Sequence, residues 1–262
     1  MSLLAELTAG AVEDAEARCA RRSLAEVERA ARERPDALDA TRFLARSSAI
    51  RVIAEVKRAS PSRGDLAAIP DPAHQAALYE QGGASAISVL TEQRRFKGSL
   101  DDLTNVKDRV GVPVLRKDFI ATPYQVAEAR AAGADMVLLI VAALESPRLA
   151  ELFALITEMG MTPLVEAHSA DEVAAAADLG APLIGVNARD LTDFSLDRDL
   201  FARLAPGIPE GTIRIAESAV AVPDDVVHYR RDGADAVLIG EALVTGEPVR
   251  ALESFIQATE GI

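Results

Sequence analysis

The chain has 262 residues, 49% of them hydrophobic, and a formal net charge of −13. That length and composition suit a single globular domain with a large core, and the acidity excludes a reader of nucleic-acid backbones, which needs basic stripes. The single cysteine, Cys19, excludes an intrachain disulfide and reads as a reduced packing thiol.

The longest apolar stretch, Met136–Leu144, is too short to span a bilayer. The first ten residues lack the basic and apolar regions of a signal peptide, so the cytoplasm is the expected location. Residues 2–46 precede the first strand. Leu3, Leu4, Leu7, Ala11 and Val12 recur at helical spacing. Ser23 with Glu26 makes a capping box for a second helix, about Leu24–Arg34, that Pro35 stops. Two helices are therefore expected ahead of the first strand, either beneath the remaining fold or at its rim.

From there eight short apolar runs follow at similar intervals, with helical patterning between them. They are Val52–Lys57, Ala86–Thr91, Pro113–Asp118, Met136–Val141, Pro163–His168, Leu183–Ala188, Arg214–Ser218 and Ala236–Glu241. Gly83-Ala84, Gly133-Ala134-Asp135, Gly180-Ala181 and Gly233-Ala234-Asp235 each come just before a strand, where glycine suits a left-handed helix cap. Eight strand–helix units imply an α/β fold, a (β/α)8 TIM barrel with an N-terminal helical extension. It is expected to form one domain over 1–262, with the extension at 1–48 and the barrel at 49–262. The loop after the first strand, Arg58 to Pro72, is rich in Ser, Pro and Gly and reads as a lid. The next helix starts at Asp71-Pro72, a cap with proline in first position.

Barrel chemistry sits at the C-terminal strand ends, and most of these ends are polar. Glu55 and Lys57 alternate with Val56 and so share a face, as an ion pair or as substrate ligands. Lys117 follows an apolar run. Burial alone is expected to lower its pKa toward neutrality, fitting a general acid or a Schiff-base lysine. Glu166 likewise ends an apolar strand and is expected to have a raised pKa. His168 is a less favoured base, because Ser169 and Glu172 read as a helix-capping box beginning there. Asn187 offers a donor and an acceptor for hydroxyls, Arg189 a phosphate fork, and Glu217 a third carboxylate. Ser218 and the small residues after the seventh and eighth strands, Ala219 and Gly240 beside Glu241, suit backbone phosphate binding. Three scattered histidines give no metal-ligand spacing.

Taken together, these blocks resemble the indole-3-glycerol-phosphate synthase family. Glu55-Val-Lys-Arg-Ala-Ser60-Pro-Ser is similar to its E-x-K-x-x-S-P-S block, and Thr91-Glu92 with Phe96-Lys-Gly-Ser99 to its second. Arg116-Lys-Asp-Phe119, Leu164-Val-Glu166, Gly185-Val-Asn187-Ala-Arg189-Asp-Leu191, Ala216-Glu-Ser218 and Ile239-Gly-Glu241 continue the order. The resemblance implies closure of an indole ring on 1-(2-carboxyphenylamino)-1-deoxyribulose 5-phosphate, with loss of carbon dioxide and water and no cofactor or metal. It implies Lys117 as general acid, Lys57 on the substrate carboxylate, Glu166 as acid–base partner, and Glu55, Asn187 and Glu217 as orienting groups. Ser60, Arg189, Ser218, Ala219, Gly240 and Glu241 would hold phosphate, and Phe96, Phe119 and Leu191 would pack on the aryl ring. The family usually has glycine where this chain has Ala219.

Two other barrel chemistries fit less well. The pathway's isomerase needs a cysteine that no strand here supplies, and aldolases place a lysine where this chain has Asn187. A non-catalytic barrel would not keep all these strand-end charges. The expected partner is a small phosphosugar, with no nucleic acid or membrane, and the chain is expected to be a monomer, with room for transient pathway partners.

Overall fold

The computed structural model describes residues 2–61, 63–190, 195–244 and 246–262. Eight parallel strands close on themselves: β1 (Arg51–Val56), β2 (Ala86–Leu90), β3 (Val114–Lys117), β4 (Met136–Ile140), β5 (Thr162–Ala167), β6 (Leu183–Asn187), β7 (Ile213–Glu217) and β8 (Ala236–Ile239). Each strand pairs with its sequence neighbours, and β1 also pairs with β8, with Arg51 opposite Ala236, so no edge is left open. All eight coincide with the apolar runs of the sequence.

Side chains alternate across the wall. Ile53, Leu115, Leu138, Leu164, Leu183 and Leu238 fill the interior. Val52, Ala54, Val89, Val137, Ile184 and Val237 face the surrounding helices. These helices include α4 (Pro72–Gln81), α5 (Leu100–Lys107), α6 (Pro123–Ala132), α7 (Ser146–Glu158) and α8 (Ala170–Asp178). Three more follow: α9 (Leu200–Leu204), α10 (Pro223–Arg231) and α11 (Pro248–Gln257). Asp71 caps α4, its carboxylate accepting from the His74 N–H at 2.9 Å, as the Asp-Pro start implies. The four glycines of the Gly-Ala repeat all have positive φ, which fits their place at helix-to-strand junctions.

The N-terminal extension does both things the sequence left open. Helix α1 (Leu3–Cys19) lies at the rim, where Leu4 and Leu7 join a cluster with Phe119 and Ile140. Its acidic face meets the loop after β2: Arg94 pairs with Asp14 at 2.7 Å and Arg95 with Glu6 at 2.9 Å. Helix α2 (Leu24–Arg32) packs on α6; the Glu26 carboxylate accepts from the Ser23 N–H at 2.8 Å. A third helix that the sequence reading missed, α3 (Ala40–Leu44), buries Ala40 and Leu44 at the N-terminal strand ends. Nearby, Asp135 accepts from the Leu38 N–H at 2.8 Å, and Arg46 pairs with Asp235 at 3.0 Å.

The long loop after β1 contains a small antiparallel hairpin, Ala59–Ser60 against Gly64–Asp65. Arg58 secures its base by pairing with Asp102 and donating to the Ile69 carbonyl at 3.1 Å.

Candidate active site

The period-two alternation that buries the barrel interior also carries polar groups to its mouth. Going up β1, the inward positions are Ile53, Glu55 and then Lys57; on β3 Leu115 is followed by Lys117, on β5 Leu164 by Glu166, and on β7 Ile215 by Glu217. The Lys57 Nζ lies 2.7 Å from Glu55 Oε1. The Lys117 Nζ lies 2.9 Å from Glu217 Oε2 and 3.4 Å from Glu166 Oε2. All three carboxylates are almost wholly buried. Asn187, opposite Glu217 in register, accepts from the Ser218 hydroxyl at 2.7 Å and the Arg189 N–H at 3.1 Å.

Cross-strand neighbours overturn both pKa expectations drawn from burial. Burial does pull Lys117 down, but attraction to Glu217, Glu166 and Glu55 outweighs it, and its pKa stands above the ordinary lysine value. It is therefore a firm ammonium. Burial also pushes Glu166 up, yet Lys117, His168 and a hydrogen bond from Asn187 bring it below the ordinary carboxylate value. The raised carboxyl is Glu217, lifted to about 7 by burial and the neighbouring Glu166 charge, against the pull of Lys117. Two adjacent carboxylates cannot both stay ionised at low cost, and the environment assigns the proton to Glu217.

Above this layer is a cavity of about 260 Å³. One side is apolar, with Phe96 and Phe119 (ring centroids 6.2 Å apart) beside Leu138 and Ile140. The opposite side presents Ser60, Arg189, Ser218, Ala219, Gly240 and Glu241. One cavity thus collects the residues singled out from the sequence, except Leu191, which lies outside the described residues.

Ser218 and Ala219 both have left-handed backbones, with φ of 69° and 57°. Successive amides in such a turn form a concave anion nest. Alanine in this conformation costs about 1–2 kcal/mol. In Ala219→Gly that relief is offset by about 0.4–1 kcal/mol of added unfolded-state entropy. Stability should change little, while KM for a phosphorylated substrate should fall, as steady-state kinetics of the two proteins would show. A higher KM in the glycine variant would contradict the strain argument.

Several further groups serve this site. Glu92 is buried and accepts the N–H groups of Arg94, Arg95 and Phe96 at 2.7–2.9 Å, fixing the loop that presents Phe96. Arg63 and Arg198 also line the cavity. Arg63 pairs with Glu241 at 3.2 Å, as Arg189 does at 3.6 Å, so Glu241 bridges the loops after β1 and β6. His168 Nε2 stands 3.5 Å from Glu166 Oε1, behind the cavity wall. The only signal for Arg63 and Arg198 was their charge in a loop after a strand, whereas Glu92 stood in a family block and His168 as the less favoured base.

Barrels of this shape serve unrelated chemistries. N-acetylmannosamine-6-phosphate 2-epimerase from Clostridium perfringens superposes with a TM-score of 0.59 at 17% identity, over 76% of this chain and 89% of that one. Thiamine phosphate pyrophosphorylase from Pyrococcus furiosus gives 0.61 at 14% identity, over 81% and 96%. These likenesses show the fold alone. The sequence comparisons are narrower. Indole-3-glycerol phosphate synthase from Leifsonia xyli subsp. xyli is 65% identical over 255 residues, covering 97% of this chain and 98% of its own. Indole-3-glycerol phosphate synthase 1 from Streptomyces coelicolor is 55% identical over 262 residues, covering 99% and 97%. The profile of the same family matches residues 4–254, from the rim helix through all eight strands and into α11. A rim helix, a barrel and a mouth that all fall within one family's pattern leave one conclusion: the chain belongs to the indole-3-glycerol phosphate synthase family.

Proposed function

We propose that the mouth divides the decarboxylating ring closure of this family among its own residues as follows. The substrate carries an aryl carboxylate at one end and a phosphate at the other. A protein of charge −13 has to meet both with local cations. The anthranilate ring lies in the slot of Phe96 and Phe119. Its carboxylate meets Lys57, which Glu55 holds. The phosphate enters the nest of Ser218 and Ala219, near the backbones of Gly240 and Glu241 and the side chain of Ser60. There it competes with Glu241 for the guanidinium of Arg189.

Lys117 donates its proton to the ribulose carbonyl oxygen as the ring carbon bearing the carboxylate attacks the carbonyl carbon. Carbon dioxide then leaves with its bonding pair returned to the ring. The new hydroxyl departs as water after protonation, pushed by the ring nitrogen, and Glu166 removes the last proton from the adjacent carbon to leave an indole. Glu217 carries the exchangeable proton next to it, and Asn187 orients hydroxyls. The aryl ring is itself the nucleophile, so these steps call for no cofactor and no metal.

The observation that carries this reading is Lys117, a firm ammonium between two carboxylates with opposite proton preferences, on the floor of a cavity with one aromatic and one cationic side. Fluorescence-monitored turnover of the carboxyphenylamino-deoxyribulose phosphate tests it. The parent should turn over, and Glu166→Gln should lose about 10²–10⁴-fold in kcat. Near-parental kcat at saturating substrate would remove Glu166 from its role.

The loop from Arg58 to Pro72 serves as the lid: its hairpin stands beside the phosphate side and carries Arg63 to Glu241. Residues 1–262 act as one domain, an assignment supported by the ties of Leu38 to Asp135 and of Arg46 to Asp235. The enzyme works as a cytoplasmic monomer on a small phosphosugar, without nucleic acid. In support, the exposed large apolar residues among the described ones are few: Leu24, Leu196, Val222 and Ile262. Among the described residues no helix is long and apolar enough to cross a membrane.

A further inference from the structure

His168 stands one residue beyond β5, on the same inward alternation as Glu166, yet it does not line the cavity. Its ring lies between two carboxylates. Nε2 is 3.5 Å from Glu166 Oε1, and Nδ1 is 3.4 Å from Glu172 Oε2. Both ring nitrogens are buried, and among the described residues neither has a hydrogen-bond partner: the two carboxylates stand at ion-pair distance. Glu172 is not free to swing away. Its Oε2 accepts the His168 backbone N–H at 2.9 Å, its Oε1 the Ser169 hydroxyl at 3.1 Å, and its own N–H donates to Ser169 Oγ at 3.3 Å. The capping box that starts α8 therefore also fixes a carboxylate against the ring.

The charged groups facing the ring are Glu166 on its own strand, Glu172 on α8 and, past Glu166, Glu217 on β7; Lys117 lies on the far side of Glu166. The turn Val141–Ala143, which packs on β5 and α8, brings no titratable side chain. Burial works against a charged ring, but the adjacent Glu172 carboxylate and the charges of Glu166 and Glu217 raise its pKa overall. Glu166 is thus flanked on each oxygen, by Lys117 at Oε2 and by the His168 ring at Oε1.

We propose that His168 is a positioning residue that acts through Glu166, clamping its Oε1 from outside the cavity. This rests on the reading of Glu166 as the acid–base group. Lys117 lies in the cavity and must release its grip on Glu166 when it serves the substrate carbonyl. His168, outside the cavity, keeps the carboxylate in place through that exchange.

The sign of the pH effect follows. An adjacent cation favours the ionised carboxyl, so removing it raises the pKa of Glu166. In His168→Gln the acidic limb of the kcat profile should move to higher pH by about one unit, with KM little changed. By reciprocity of the coupling, Glu166→Gln should lower the pKa of the His168 ring, read by NMR titration of the ring in the full-length protein. Glu172→Gln should lower it too. A limb that stays in place in His168→Gln, while Glu166→Gln is inactive, overturns the clamp and leaves the role of Glu166 standing. A Glu166→Gln protein that turns over normally removes the role of Glu166, and the clamp with it. If His168→Gln does not fold, the ring titrations decide: a His168 pKa unmoved by Glu166→Gln overturns the proposal.

Discussion

Lys117→Ala should stop ring closure, lowering kcat by at least about 10⁴-fold, the combined scale of losing a general acid and a preorganised cation. Three buried carboxylates are arranged around this one ammonium. Lys57, the other ammonium at the cavity floor, is held by Glu55 at 2.7 Å. Breaking a buried ion pair ordinarily costs about 3–5 kcal/mol, which would threaten the fold. Here the fold survives because the carboxyls can neutralise themselves: Glu217 already titrates at about 7, and losing Lys117 lifts both it and Glu166 further.

That rescue depends on pH. In the variant these carboxyls bind protons more tightly when folded than when unfolded, so stability falls as pH rises. In the parent, Glu166 lies below its ordinary value and works in the opposite direction, favouring the fold once the pH exceeds the ordinary carboxylate range. The variant should therefore melt close to the parent at pH 5 and well below it at pH 8, as thermal melts followed by circular dichroism would show. A fold lost at both pH values would mean that Lys117 is structural first. Retained turnover would move the general acid elsewhere.

The barrel was legible because its signal is local. Each strand is a short apolar run, and the ionisable residues that end β1, β3, β5 and β7 lie in phase with the inward face. The pKa directions were not legible because they depend on side chains about 50 to 100 residues apart in the chain: Lys117 meets Glu166 and Glu217 only once β3, β5 and β7 are in place. Burial alone gave the wrong sign for Lys117 and Glu166, and missed Glu217. Helix α3 has five residues and no repeating pattern to detect. Glu92 looked like part of a family block, but its work is to collect three backbone N–H groups, a geometry that no spacing rule encodes.

Gly185 on β6 should be costly to change. It pairs with Ile215 across the β6–β7 ladder, two residues before Asn187 and Glu217 face each other. A Cβ at this position would overlap Glu217 Oε1 and come within 3.4 Å of Leu164 Cδ1. The glycine does not have positive φ, so alanine is compatible with the backbone and the contact itself is the problem. Gly185→Ala must push Glu217 off Lys117 or spread the two strands. Overpacking of this kind costs about 1–3 kcal/mol. Displacing the proton-carrying carboxyl from its partners should reduce kcat by about 10²-fold or more. A double-mutant cycle separates the two effects. In a Glu217→Ala background the obstructing oxygen is gone, so adding Gly185→Ala should cost almost no further stability and no further activity. If the glycine substitution is as harmful there as in the parent, its effect does not pass through Glu217, and the glycine serves the strand pairing instead.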